Sequence, residues 1–267
     1  MTDPNILADV RALIIDMDGV LWAGDQPMPG LAEFFQTLRR RSMRFVLATN
    51  NALKTPDQYV SKLASMGVSV ARDEIIGSGL AAALYLKQHA RPGARVFPIG
   101  GDGVRQALID NGFQLVGLYE KNADYVVCGM DHELSWDKIA TATLNIREGA
   151  HFIGTNPDTS LPTEHGLTHG NGAILAALQT ATGVAPFIIG KPEPIMYRIA
   201  MERLKANAEE TVAVGDRLDT DILGAVRTGI RSILVLTGAS RREHLAQMDY
   251  EPTWVMQDIR EITALLA

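Results

Sequence analysis

Short apolar runs alternate with amphipathic stretches almost from one end of the chain to the other. RALIID (11–16), RFVLAT (44–49) and EIIGS (74–78) have the length and texture of buried strands. LAEFFQTLRRR (31–41), behind Pro29-Gly30, predicts a helix. Thr55-Pro56-Asp57-Gln58 has the form of a capping box with proline at the first helical position, which predicts a helix to about Gly67. FII (187–189), TVAV (211–214) and SILVL (232–236) repeat the strand pattern near amphipathic segments. Strands separated by helices imply parallel pairing, because a parallel crossover needs a long connection.

The middle of the chain has a different texture. Strand-like ARVFPI (94–99), QLVGLY (114–119) and DYVVCG (124–129) follow in quick succession. A helix at SWDKIATATLNIRE (135–148) and a strand at HFIGT (151–155) come next. This block is read as an insertion with its own small sheet, 79–184, between the two halves of a parallel-sheet domain, 1–78 and 185–267. One long doubly wound sheet is the alternative. Either way the fold class is α/β.

Composition narrows the function classes. The 267 residues are 46% hydrophobic and 21% charged, and 25 basic against 31 acidic residues leave a formal charge of −6. That balance argues against a nucleic-acid surface, which would appear as a basic patch. One cysteine, Cys128, excludes a disulfide framework within the chain and fits a reducing compartment. Nothing approaches eighteen uninterrupted apolar residues, so no membrane partner is expected. MTDPNILADVR carries acid early and lacks the form of a signal peptide. The expectation is a cytoplasmic enzyme.

Candidate chemistry collects at strand ends, where open parallel sheets bind ligands. Asp16 and Asp18 in DMDGVL follow the strand RALIID, and Gly19 permits a sharp turn. Two like charges about 4 Å apart repel by on the order of 4 kcal/mol at an effective dielectric near 20, so a cation or a proton must offset them. Taken alone, the pair could equally be solvated acids of a turn. AVGDRLDTDILGAV places Asp216, Asp219 and Asp221 around another strand-to-helix junction. Macrodipole-complementing acids account for one or two of these but not for Asp216. Three or four converging carboxylates suit a hard cation such as Mg²⁺. Thr49-Asn50-Asn51 ends RFVLAT with a hydroxyl, two amides and the N–H groups of a tight turn, a grip for phosphate. Lys191 in IIGKPEP follows a further strand and could neutralise an oxyanion while holding a nucleophile. Four acids with Mg²⁺ and one lysine still carry one negative charge before a phosphate arrives, so the metal is needed to admit the substrate. The set is coherent for phosphoryl transfer, in which positioning and charge neutralisation do most of the catalysis.

DMDGVL, ATNN, GKP and GDRLDTD resemble the four ordered motifs of the haloacid dehalogenase-like superfamily. The longer DMDGVLWAGDQPMPG and VGDRLDTDILGAVRTG resemble its NagD/p-nitrophenyl phosphatase branch, whose members carry a large α/β cap after the second motif. The resemblance implies a Rossmann-like doubly wound core with an inserted cap at 79–184. It implies Asp16 as the nucleophile that forms an aspartyl-phosphate and Asp18 as the general acid–base. Thr49, Asn50 and Asn51 then bind phosphate, and Lys191 supports nucleophile and phosphate. Mg²⁺ is implied on the Asp16 side chain, the Asp18 carbonyl and Asp216, with Asp221 supporting the metal shell. An acid at position 18 favours a phosphatase or phosphomutase over a dehalogenase.

In the cap, Thr155-Asn156-Pro157-Asp158 resembles a substrate-facing motif, which makes Asn156 and Asp158 candidates. His169-Gly170-Asn171-Gly172 stands where relatives carry Pro-Gly-x-Gly, so His169 joins them, while His165 is read as a loop residue. Gly100-Gly101-Asp102-Gly103 imitates a dinucleotide loop and is read as a tight turn, and Cys128 as a small buried hydrophobe. Trp22 is expected at the site entrance. The function this implies is Mg²⁺-dependent hydrolysis of a small phosphorylated metabolite: a sugar phosphate, nucleoside monophosphate, phosphoglycolate, glycerol phosphate or pyridoxal phosphate. A phosphomutase with the same core, or a phosphometabolite-binding protein without turnover, is the alternative. A homodimer through the cap is left open, since relatives include such dimers.

Overall fold

The computed structural model describes residues 6–163 and 165–267; residues 1–5, which open the segment read above as no signal peptide, and Glu164 lie outside the described residues. The chain forms two compact units. One consists of the chain up to Thr49, Asp57–Ile76 and Lys191–Ala267, and the other of Asn50–Pro56 and Gly77–Gly190.

Among the described residues, the first unit is built on six strands. In chain order they are Ala12–Ile15, Arg44–Thr49, Ile75–Gly77, Thr211–Gly215, Arg231–Val235 and Trp254–Met256. In space they run 3-2-1-4-5-6, the order of a Rossmann sheet. Ala12–Ile15 pairs in parallel with Arg44–Thr49 on one side and with Thr211–Gly215 on the other. The chain therefore leaves the first strand in one direction and returns to its opposite flank, so a crevice opens beyond the carboxyl ends of the first and fourth strands. Both faces of the sheet are covered. Leu13 and Ile15 join Phe34, Leu38, Leu63 and Ile259 in one apolar cluster. The alternate residues Ala12 and Ile14 are equally buried and outside that cluster, and the helix Pro194–Leu204 packs on these strands.

The second unit has a parallel sheet of five strands among the described residues. They are Arg95–Ile99, Gln114–Leu115, Tyr125–Cys128, His151–Gly154 and Phe187–Ile188, in the spatial order 2-1-3-4-5. Phe97, Val126, Cys128 and Phe152 form its core with Ala142 and Ile146 of the helix Trp136–Arg147 and Ile174 and Leu178 of the helix Asn171–Thr182. Its switch point lies beside Gly100, and the unit's own chain fills that place. Gly103 N–H donates to Leu53 O (3.1 Å), and a Cβ at Gly103 would sit 2.4 Å from Ala52 O and 2.5 Å from Lys54 O. The glycine-rich loop thus answers a backbone packed against it.

Three local readings differ from the sequence expectation. QLVGLY is a strand only over Gln114–Leu115, and the chain then turns at Leu118-Tyr119, with Tyr119 in the left-handed region at φ 60°. Ser160–Thr163 and Gly166–His169 pair as an antiparallel hairpin that alternation did not reveal, since Leu161 and Leu167 are the two large apolar residues among the eight that pair. Phe187–Ile188 pairs with His151–Gly154, and the second unit runs on to Gly190, past the 184 read from sequence. A three-residue apolar run carries no information about which sheet it joins.

Candidate active site

The crevice of the first unit gathers the residues picked out at three strand ends and at Lys191. Asp16 follows the first strand directly, and its N–H donates to Val214 O (2.8 Å), tying it to the neighbouring strand. Lys191 is 3% exposed. Its ammonium donates to Asp16 Oδ1 (2.5 Å), Asp221 Oδ1 (2.6 Å) and Ala48 O (2.9 Å), which uses all three of its protons. Burial pulls the lysine's pKa down; contact with Asp16 and Asp221 outweighs burial and holds it well above the ordinary value.

Asp221 is locked by the protein itself. Besides Lys191, it accepts from Arg217 N at Oδ2 (3.1 Å), within a single turn of π-helix over Leu218–Ile222. That extra residue per turn brings the carboxylate back toward its strand, so closely that a Cβ at Gly215 would lie 2.2 Å from Asp221 Cβ. Tyr197 donates to Asp221 O (2.8 Å) from the helix Pro194–Leu204.

Asp216 is 3% exposed and accepts from Ala239 N at Oδ2 (2.7 Å). Among the described residues its buried Oδ1 has no hydrogen-bond partner. Two glycines make room for this carboxylate. A Cβ at Gly19, where φ is +83°, would stand 2.6 Å from Asp216 Oδ2, and one at Gly238 1.9 Å. Burial, reinforced by the Asp221 charge, lifts the Asp216 pKa to about 6. Burial also drives Asp16 well above the usual carboxylate range, against the pull of Lys191 and with Asp221 and Asp216 adding to it. One carboxylate oxygen from each of Asp16, Asp216 and Asp221 lies within 4.8 Å of the others. Three acids around one ammonium leave the cluster short of positive charge. An oxygen-only donor set with an unclaimed buried oxygen fits a hard divalent cation.

Around this centre, Thr49 is buried at the end of its strand. Burial raises the Tyr59 phenol above its ordinary pKa, with the charges of Asp18 and Asp16 adding to the rise. Asp18 is exposed, and Trp22 Nε1 donates to its Oδ1 (2.7 Å). Trp22 itself is fully buried, so it does not edge an entrance; the expectation is corrected, because the chain turns inward at Gly19. Asp219 is exposed and paired with Arg217 (2.8 Å), outside the acidic cluster. Sequence reasoning passed over Gly238-Ala239 and Tyr197. LTGAS after a strand was the available signal for the former, while a tyrosine on an amphipathic helix offered none.

The remaining candidates lie in the second unit. Asn50 donates its amide to both Asp158 oxygens (3.1 and 3.2 Å), and its carbonyl accepts from Asn156 Nδ2 (2.8 Å) and Ser78 Oγ (2.5 Å). Asn51 Oδ1 closes a turn by accepting from Leu53 N (2.9 Å). Asn171 Nδ2 donates to Asn156 O (2.8 Å), and Cβ atoms at Gly170 and Gly172 would strike Asp158 O (2.2 Å) and Pro157 O (2.6 Å). The Gly-x-Gly spacing therefore lets the helix start Asn171–Thr182 lie against the Asn156–Asp158 loop. His169 and His165 are exposed on the hairpin and its turn. Cys128 is buried and its thiol shifted up by desolvation, an inert core residue.

Residues 13–114 match a family of haloacid dehalogenase-like hydrolases and residues 188–262 a family described as HAD-hydrolase-like. An acid sugar phosphatase of Staphylococcus aureus is 40% identical over 256 residues, spanning 96% of this chain and 98% of that one. The chain belongs to the haloacid dehalogenase-like hydrolases. Solved structures of this superfamily place it in the NagD/p-nitrophenyl phosphatase branch. A 4-nitrophenylphosphatase of Thermotoga maritima superposes with a TM-score of 0.91 at 32% identity, covering 98% of this chain and 99% of its own. A glycerol phosphate phosphatase of Mycobacterium tuberculosis, solved in complex with magnesium, gives 0.89 at 35% identity, covering 97% and 78%. The haloacid dehalogenase-like assignment agrees with the Rossmann strand order and with the acids at the first and fourth strand ends.

Proposed function

We propose that this phosphatase hydrolyses small phosphomonoesters with Mg²⁺ through a phosphorylated Asp16. The supporting observation is the Lys191 ammonium bridging Asp16 and Asp221, with the unclaimed Asp216 oxygen in the same cluster. Asp16 and Asp216 would hold the cation with the Asp18 carbonyl, while Asp221, both of whose oxygens are engaged, orients Lys191. Bound there, Mg²⁺ supplies charge neutralisation for the incoming dianion.

The chain's own groups divide the chemistry. Lys191 favours the ionised form of Asp16 and aims it, so that a carboxylate oxygen attacks phosphorus as the ester P–O bond breaks. Asp18 gives its proton to the departing oxygen. It then takes one from the water that attacks the acyl-phosphate, whereupon the Asp16 O–P bond breaks and phosphate leaves. Thr49 and Asn50 stand as phosphate-binding residues, and Asn51 as a turn-former beside them. The second unit is the substrate-selecting cap of the branch, with Asn156, Asp158 and His169 as its candidate contacts. Sugar, glycerol and aryl phosphates are the favoured substrate classes, since the relatives' names include all three.

A phosphate-release screen over a metabolite panel, ranked by kcat/KM with Mg²⁺ and with EDTA, tests the reading. Turnover is expected with Mg²⁺ alone. Asp16→Asn is expected to lose on the order of 10³-fold or more in kcat. Full activity in that variant would remove Asp16 as nucleophile.

A further inference from the structure

Asp18 and Trp22 are four residues apart, and the turn between them brings them together. Leu21 N–H donates to Met17 O (2.8 Å) and Gly19 N–H to Trp22 O (2.8 Å), which folds residue 22 back beside residue 18. The indole is then held on all sides. It is fully buried, Tyr59 stacks on it at 6.4 Å between centroids and 20° between planes, and the Lys62 ammonium lies 4.6 Å from its ring centroid. Lys62 is fixed in turn by donating to Gly24 O (2.8 Å). From this rigid setting Trp22 Nε1 donates to Asp18 Oδ1 at 2.7 Å, while Asp18 itself is exposed.

We propose that Trp22 is a positioning residue for proton transfer: its N–H fixes the Asp18 carboxyl group in one rotamer and commits Oδ1 to accepting. An indole N–H can only donate, so the oxygen it engages is the poorer carrier of the transferable proton, and Oδ2 exchanges it with leaving group and water. An exposed aspartate on a turn would otherwise spread over several rotamers, whereas acid–base assistance requires the group within hydrogen-bond reach of the reacting oxygen. The proposal rests on the reading of Asp18 as the general acid–base. A buried indole N–H needs an acceptor in any case, so a purely structural bond is the rival account.

The two are separated by leaving-group dependence. kcat/KM covers the steps up to departure of the alcohol. p-Nitrophenolate departs readily without a proton, and the alkoxide of glycerol phosphate does not. In Trp22→Phe, kcat/KM for glycerol phosphate is expected to fall about tenfold or more, and for p-nitrophenyl phosphate by less than about threefold. Added to Asp18→Asn, the same substitution is expected to bring no further selective loss. Equal losses on both esters, or an undiminished selective loss in the Asp18→Asn background, would overturn the proposal. Should Trp22→Phe fail to fold, 3-benzothienylalanine placed at position 22 keeps the bicyclic ring and replaces only the N–H, and the same ratio decides. Failure of the underlying reading shows separately, in proteins with Trp22 intact: Asp18→Asn would then lose both esters alike, and the positioning role would fall with it.

Discussion

Lys191 carries more of the site than any other single side chain, and the reason is charge. Its ammonium is the counter-ion of two buried carboxylates at 2.5 and 2.6 Å. Removing one member of a buried ion network leaves the others uncompensated, at a cost of roughly 3–5 kcal/mol. Lys191→Met is therefore expected to lower the free energy of unfolding by about that amount as well as to abolish turnover. Asp221→Asn should cost less, because the neutral amide leaves one fewer negative charge beside Asp16. Denaturant titration of both variants checks the order. A surface-like effect of Lys191→Met, under about 1 kcal/mol, would contradict the buried network. The identity of this residue was legible in GKP; that it is buried and triply bound was not, since its partners stand 175 and 30 residues away along the chain.

The elements of the site work by bringing backbones and carboxylates closer than a Cβ would allow. Gly238 belongs to the segment after the fifth strand, and a methyl group there would overlap Asp216 Oδ2 at 1.9 Å. Gly238→Ala is thus expected to displace the carboxylate and remove the Mg²⁺-induced rise in melting temperature, read by thermal scans with and without metal. In the other unit, Gly103→Ala would drive a methyl into Ala52 O and Lys54 O, rigid backbone on both sides. A loss of about 2 kcal/mol or more is expected, with the first unit's melting-temperature response to Mg²⁺ preserved. The strands that carry Asp16, Thr49 and Asp216 were visible as apolar runs of four to six residues. The π-turn that bends Asp221 inward was not, because its sequence, LDTDI, reads as an ordinary helix start.

At the scale of the molecule, the acidic crevice ties stability to pH and, on the proposed Mg²⁺ reading, to metal as well. The Asp216 pKa is raised to about 6 in the folded protein from an ordinary value of 3.8. Between those values the folded chain keeps a proton that the unfolded chain has released. Without metal, this group's contribution to stability therefore falls as pH rises from about 4 to 6 and stays low above that. A bound divalent cation favours the ionised form and stabilises the fold by mass action. The melting-temperature gain from Mg²⁺ is thus expected to be larger at pH 7 than at pH 5; equal gains would contradict the assignment of Asp216 to the metal. The sequence by itself determined the α/β alternation, the strand ends and the chemical identity of the acids, the lysine and the threonine. All of these follow from short-range periodicity and residue type. Tertiary structure alone decided that Phe187 joins the second sheet, that Trp22 is buried against Asp18, and that Gly19 and Gly238 exist to admit Asp216. Those are contacts between segments far apart in the chain or reversed by a turn, and local pattern carries no record of which distant neighbour will fill a given space.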